Sequence, residues 1–334
     1  MAAYLKAGCG ITNRKDSMTK QKITVSIKGR QRSIPCIRIC STAVVVLNGT
    51  LIKVGSVHDE FWMESKALPE PAEIIQKLRK SSFRPDVFKF AQKFPRTTPQ
   101  YKYPMEWDNL AVASFDSYAE WFEKKINRSV KKHVRKAVKK GVRTDVVPFT
   151  DELVHGISAV YNSSPVRQGK KFWHYGKSFA TVKAENSSYL DRSIFIGAYF
   201  EEELIGFIKL VFDGPVAHIM QILAKPKFFE KRPTNAMLSQ AVKVCESQKA
   251  TYLSYGAYVY GNKTRDSLVD FKRNNGFERV DIPVFYVPLS LKGHIAIKLG
   301  LHKGWRNIIP TSVWNTILSL RSKYFTCHTG LKNS

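Results

Sequence analysis

Two stretches of this chain carry residues suited to holding anions. The first is residues 163–177, Ser-Ser-Pro-Val-Arg-Gln-Gly-Lys-Lys-Phe-Trp-His-Tyr-Gly-Lys, with four cations, three aromatics and two glycines in fifteen residues. Loops of this length inside a compact domain often serve function. Arg167 can fork two hydrogen bonds onto a phosphate or carboxylate, and Gln168 and Lys171 add donors beside it. His174 reads as a functional group of the same loop, while Trp173 and Tyr175 can stack on a sugar or a base, or equally fill the edge of the core. The second stretch runs from Lys124 to Arg143, with ten cations and no acid. Like charges at helical neighbour spacing repel by a few tenths of a kcal/mol each. Such a face therefore reads as an anion site, with Arg128, Lys132 and Arg135 as contacts. RNA phosphate, a lipid pyrophosphate and anionic headgroups all fit it.

Other chemistries lack their residues. No Ser-His or Cys-His pairing stands out, so a covalent enzyme intermediate is not expected. The five cysteines are odd in number and mostly far apart, which points to a reducing compartment. Cys36 and Cys40 would share one strand face, but no second pair completes a zinc site. His218 would alternate with Val216 and Met220 along a strand and reads as structural.

Composition sets the outer limits. A chain of 334 residues, 43% hydrophobic and 12% aromatic, can bury a full core. With 54 Lys and Arg against 27 Asp and Glu, the formal charge of +27 implies an anionic partner. Leu5-Lys6-Ala7-Gly8-Cys9 fails as a lipoprotein cleavage site because Lys6 interrupts it and no apolar run precedes it. The apolar run 43–47 is far too short to span a bilayer, so the protein reads as cytoplasmic.

The positioning elements follow from periodicity. Residues 22–27, 34–39, 43–47 and 51–54 read as short strands, with Asn48-Gly49 as a hairpin turn. A short helix fits 69–79. Residues 83–104, with Pro85, Pro95, Pro99 and Pro104, read as an extended aromatic-rich connection. Ser117 to Glu120 is a capping box that opens a helix. Phe122, Ile126, Val130, Val134 and Ala137/Val138 continue it as one apolar stripe. A strand at 142–147 and a helix capped by Thr150 come next. Runs at 194–200, 204–212 and 216–223, joined by short turns, predict three antiparallel strands. Met237, Leu238, Ala241, Val242 and Cys245 then mark a helix after Pro233-Thr234. A strand at 251–255, a helix at 267–275 stopped by Gly276, and a strand at 284–288 close the series.

That order resembles the second half of the GNAT N-acyltransferase fold. Within it, the sequence resembles the FemAB-like branch, the aminoacyl- and acyltransferases acting on cell-envelope precursors. The carrying residues are the basic helix at 127–141 (NRSVKKHVRKAVKKG), Tyr255-Gly256, Asp270-Phe271-Lys272 and Asn275-Gly276-Phe277, within roughly residues 105–290. The resemblance implies an α+β fold: a mixed, largely antiparallel GNAT-type sheet flanked by helices, with two central parallel strands splayed around the acyl donor. It implies a division into a reduced β-rich N-terminal region (1–104), the transferase domain (105–290) and a basic tail (291–334).

Site roles follow from the same resemblance. Lys272, at the Lys of the Phe-Lys pair, supports charge at the acyl-donor site. A leaving-group acid comes from Tyr255, Tyr258 or Tyr260, each of which could instead be a packed core tyrosine. Backbone N–H groups around Gln221–Leu223 face the oxyanion. Lys231, Arg232 and Thr234, at the start of the central helix, hold donor phosphates. The segment 224–234 has no glycine, unlike the pyrophosphate cradle of acetyl-CoA enzymes, and this favours an aminoacyl-tRNA donor over acyl-CoA. The tail (Val313, Trp314, Ile317, Leu318, Tyr324, Phe325) reads as an amphipathic helix that packs on the core or lies on an anionic membrane.

The expected activity is direct N-acyl or aminoacyl transfer to an amine on a phosphorylated or lipid-linked envelope or exopolysaccharide precursor, with tRNA and an anionic membrane surface as further partners. Two alternatives stand beside it: a non-catalytic GNAT-fold module that binds RNA or an anionic glycolipid, and an acetyl-CoA-dependent N-acetyltransferase.

Overall fold

A computed structural model describes residues 21–27, 30–39, 42–48, 51–58, 70–167, 170–260 and 267–303. The chain opens with β1 (Gln21–Ile27), β2 (Arg30–Ile39), β3 (Thr42–Asn48) and β4 (Lys53–Val57), followed by α1 (Pro71–Lys80), β5 (Val87–Ala91) and β6 (Met105–Ser114). Then come α2 (Tyr118–Glu120), which continues as a π-helical turn to Lys125, α3 (Arg128–Lys139), β7 (Val142–Val147) and α4 (Asp151–Tyr161). A two-residue ladder joins β8 (Val166–Arg167) to β9 (Lys170–Lys171), and α5 (Phe179–Asn186) follows. The remainder is β10 (Ser193–Phe200), β11 (Glu203–Asp213), β12 (Val216–Ala224), α6 (Pro233–Ser247), β13 (Tyr252–Ser254), α7 (Ser267–Asn274), β14 (Glu278–Pro288) and α8 (Leu291–Lys298).

Twelve of these strands form one sheet, in the order β1-β2-β3-β4-β5-β14-β6-β13-β12-β11-β10-β7. The antiparallel pair β14–β6 is its centre, with five strands on either side. Each flank holds one parallel pair: β4–β5, whose connection carries α1, and β12–β13, joined through α6. The central strands are exchanged. β6 follows β5 in sequence but pairs with β13, and β14 follows β13 but pairs with β5. The fold is thus mixed and mostly antiparallel, as the resemblance implies.

Apolar alternation explains the layers. One face of the second flank buries Val130, Val134 and Ala137 of α3 and Met237, Ala241 and Val242 of α6 against Ile208, Ala217 and Leu253. The other face buries Leu153, Val154 and Ile157 of α4 against Phe195 and Phe207. Thr150 caps α4 by accepting from the Leu153 amide, and Glu120 returns from its helix to accept from the Asp116 amide.

Some elements depart from the sequence reading. The helix expected to run unbroken from Ser117 stops at Ile126. Asn127 gives its amide to the Asn274 carbonyl, and its side chain caps Ser129 to start a second helix. Trp121 donates to the Asn275 carbonyl at the same junction. The break is thus the socket for the end of α7. Val138 leaves the apolar stripe and is exposed. The expected extended connection 83–104 contains β5, because Phe88 and Phe90 stack into the cluster beneath α1. The C-terminal amphipathic stripe and Cys40 lie outside the described residues.

Candidate functional site

The parallel pair β12–β13 holds together only from Val216/Tyr252 to His218/Ser254. Beyond that the strands part, because the Tyr255 amide turns to the Ala111 carbonyl of β6 and Ala111 in turn donates to Gly256. β12 also carries one extra residue at Met220, between the pairs Lys209/Gln221 and Leu210/Ile219. The splay opens a cavity of about 210 Å³ lined by Asp108, Asn109, Leu110, His218, Ser254, Gly256, Ala257 and Tyr260.

Lys272 is the buried cation beside this cavity. It has no solvent exposure, although it sits on a short surface helix. Its Nζ donates to the Ala257 carbonyl and lies 4.8 Å from the ring centres of both Tyr255 and Tyr260. The Tyr255 ring is largely buried with the ammonium, where such a contact contributes about 2 kcal/mol, while Tyr260 is half exposed and contributes about 0.5 to 1 kcal/mol. Asn109 braces the wall by accepting from the Val259 amide at 2.7 Å.

The three tyrosines have different surroundings. Tyr255 packs on Phe271 and Phe277, and burial together with Tyr260 pushes its hydroxyl up to about 12. Tyr258 packs against the same core. Tyr260 lines the cavity, and burial raises its pKa too, opposed by a backbone hydrogen bond with Ala257. Both shifted hydroxyls carry their protons at neutral pH. His218 is buried at the cavity floor, and desolvation lowers it to about 4; Asp213 opposes this, while Lys93 and Arg192 add to it. It is a neutral imidazole at physiological pH.

One expected group points elsewhere. Lys225 donates to Ile205 in register with the Phe207/Leu223 and Lys209/Gln221 pairs. Antiparallel alternation then aims the amides of Gln221 and Leu223 at β11, away from the splay. The amide of Ile222, between them, faces the gap. Of the amides in the expected range 221–223, Ile222's is the one directed away from β11. The Gln221 side chain instead accepts from the Tyr161 hydroxyl at 2.8 Å and meets His174 Nε2 at 3.2 Å.

The 163–177 segment folds as a compact unit on α4. Arg167 stacks on Phe172 at 4.1 Å and donates to the Val160 carbonyl, and its buried Nε has no partner among the described residues. His174 is buried between Tyr161 and Trp173 and contacts Lys177 and Gln221, and desolvation lowers it to about 3. Trp173 and Tyr175 are about half exposed. Gln168 and the side chain of Lys171 lie outside the described residues.

The glycine-free segment folds as a 3-10 helix, Pro226–Lys231, that ends on Arg232 in a left-handed conformation at the start of α6. Lys231 stacks on Phe200 at 3.6 Å, the buried Arg232 Nε has no partner among the described residues, and Thr234 is in the first turn of α6. On α3, Arg128, Lys132 and Arg135 are exposed, while Lys131 pairs with Glu123 and Lys140 with Glu230. The structure thus separates three groupings: Lys272 with the tyrosines at the splay, Arg167 and His174 on α4, and the cations of α3.

Sequence reasoning missed Asp108, the carboxylate that lines the cavity. Its Oδ1 accepts the Asn109 amide at 2.8 Å. Nothing in Trp107-Asp108-Asn109 separates it from an ordinary strand-edge acid. Only the strand exchange, which carries β6 next to β13, brings it to the splay.

No family model and no curated protein matches this sequence. Known structures share its fold. A crystal structure of FemX superposes with a TM-score of 0.52 at 11% identity, covering 84% of this chain and 90% of that one. The C-terminal domain of a putative lysylphosphatidylglycerol synthetase from Agrobacterium fabrum gives 0.52 at 11%, covering 77% and 84%. L-PGS from Bacillus licheniformis gives 0.51 at 13%, covering 75% and 82%. The chain therefore has the fold that these three structures share.

Proposed function

We propose that this chain transfers an acyl group, in the first instance an aminoacyl group, to an amine on a cell-envelope precursor. The observation that carries the reading is Lys272, fully buried against the rings of Tyr255 and Tyr260 and bonded to Ala257, so that it sits behind two residues of the cavity lining. Direct transfer needs an amine freed of its proton, donors toward the developing oxyanion and an acid for the leaving group. Asp108 accepts the acceptor amine's proton. The Lys272 ammonium and the Ile222 amide face the oxyanion. Tyr260, protonated at neutral pH, gives its proton to the departing oxygen of an ester donor. No covalent intermediate with the enzyme forms.

A protein that shares the fold supports an envelope acceptor, since it is the C-terminal domain of a putative lysylphosphatidylglycerol synthetase. The 3-10 helix in place of a glycine cradle supports an aminoacyl ester over acyl-CoA. The cations of α3 and Arg167 are the surfaces offered to phosphates of donor and acceptor, and Trp173 and Tyr175 are those offered to a sugar or a base. Attachment at the inner face of the membrane fits a lipid-linked acceptor.

The test is a donor screen. Purified protein is incubated with envelope extract and either a pool of radiolabelled aminoacyl-tRNA or labelled acetyl-CoA. Transfer of label from tRNA, abolished by Lys272→Met, is the expected result. Label moving only from acetyl-CoA would refute the aminoacyl donor. Tight RNA binding with no transfer from either donor would leave the binding-module reading in its place.

A further inference from the structure

Helix α8 packs on the sheet by its smallest residues and turns its largest ones outward. Gly293 and Ala296 are buried, and a Cβ on Gly293 would lie 1.9 Å from the Asp86 carbonyl oxygen. Leu291, Ile295 and Leu299 are instead 78%, 51% and 64% exposed. Their spacing of four sets them in one stripe along the helix. The orientation is fixed at both ends. Ser290 caps the helix through the Gly293 amide and donates to Asp86, while His302, just beyond it, bonds Glu106 at 3.0 Å and packs on Tyr286. The stripe is therefore held outward by the packing beneath it.

Its surroundings are positive. Lys292 and Lys298 are exposed on the same helix, and residues 291–334 hold seven Lys and Arg and no acid. Folding residues 304–334 back over the stripe would bring like charges together. A second copy would do the same. An anionic headgroup layer neutralises both segments and gives the three large side chains an apolar phase to enter.

We infer that the Leu291–Ile295–Leu299 stripe docks this protein on an anionic lipid bilayer, with α8 lying in the plane of the interface. The placement bears on function, an extension that rests on the transferase reading above. His302 ties the end of α8 to Glu106, and strand alternation puts Glu106 on the same face of β6 as Asp108 of the cavity. Docking here presents a lipid-linked amine to that face of the sheet.

The full chain is sedimented with phosphatidylcholine vesicles, with or without phosphatidylglycerol, and turnover is not needed for the readout. Binding is expected only with phosphatidylglycerol, and Leu291→Ser/Ile295→Ser/Leu299→Ser should weaken it by about tenfold or more while leaving the melting temperature unchanged. Lys292→Glu/Lys298→Glu should weaken it as well. Absent binding, or binding that survives the triple substitution, would overturn the inference. A lower melting temperature of the triple variant without vesicles would also overturn it, by showing that the stripe is covered by the chain's own C-terminal segment. A concentration-dependent dimer abolished by the triple substitution would assign the stripe to a second copy instead.

Discussion

Two buried histidines give this fold a definite response to acid. His218, at the floor of the splay cavity, and His174, under Trp173, are 4% and 6% exposed. Desolvation lowers them from 6.5 to about 4 and about 3 respectively. A base whose pKa is lower in the folded state binds more protons when unfolded. Its contribution to stability is complete above the unfolded pKa and is lost as pH falls from about 6.5 toward the folded value. Between pH 7 and pH 5 that loss is about 2 kcal/mol for each histidine, at about 1.4 kcal/mol per pH unit. The assay is urea unfolding of wild type, His218→Asn and His174→Asn at both pH values. Each substitution should reduce the fall in stability between pH 7 and pH 5 by about 2 kcal/mol. The carboxylates cancel in this comparison, because every variant retains them. A fall of the same size in all three proteins would refute the burial argument and show that these imidazoles already titrate normally in the native state.

Further outcomes follow from single contacts. Lys272→Met, which keeps most of the side-chain volume, should lower kcat by about 10² to 10³ with KM changed little, as for loss of one oxyanion donor; steady-state transfer kinetics check this. Asp108→Asn should lower kcat/KM by a similar factor, whereas Asp281→Asn, in a surface ion pair with Arg279, should leave both rate and stability within about 0.5 kcal/mol. Gly293→Ala should destabilise the protein by about 1 to 3 kcal/mol through overpacking against Asp86, measurable by thermal unfolding. Replacing the exposed Arg128, Lys132 and Arg135 by Gln should leave the melting temperature nearly unchanged but flatten the salt dependence of any RNA binding, read by filter binding across a salt series.

Much of the second flank was legible from pattern alone. The β10–β11–β12 meander announces itself by three apolar runs separated by Glu201-Glu202 and Asp213-Gly214-Pro215, and α6 by the change of period after Pro233. These are local signals. The break at Asn127 was not local, since it depends on Asn274 docking there from far along the chain. The strand exchange was equally hidden. Nothing within 105–114 says that β6 will cross beside β13, and without that crossing Asp108 cannot be placed at the cavity. Lys272 was singled out by the resemblance alone, and its complete burial against two rings is a tertiary fact. The direction of the Ile222 amide required knowing which edge of β12 is paired.

The most direct measurement is a single-turnover experiment with enzyme in excess over labelled aminoacyl-tRNA and an amine acceptor from envelope extract. Wild type should move the label to the acceptor in one exponential phase without a label-bearing protein intermediate, and Lys272→Met should bind the donor equally but fail to transfer. Label trapped covalently on the protein, or equal transfer by wild type and Lys272→Met, would contradict direct transfer at the β12–β13 splay.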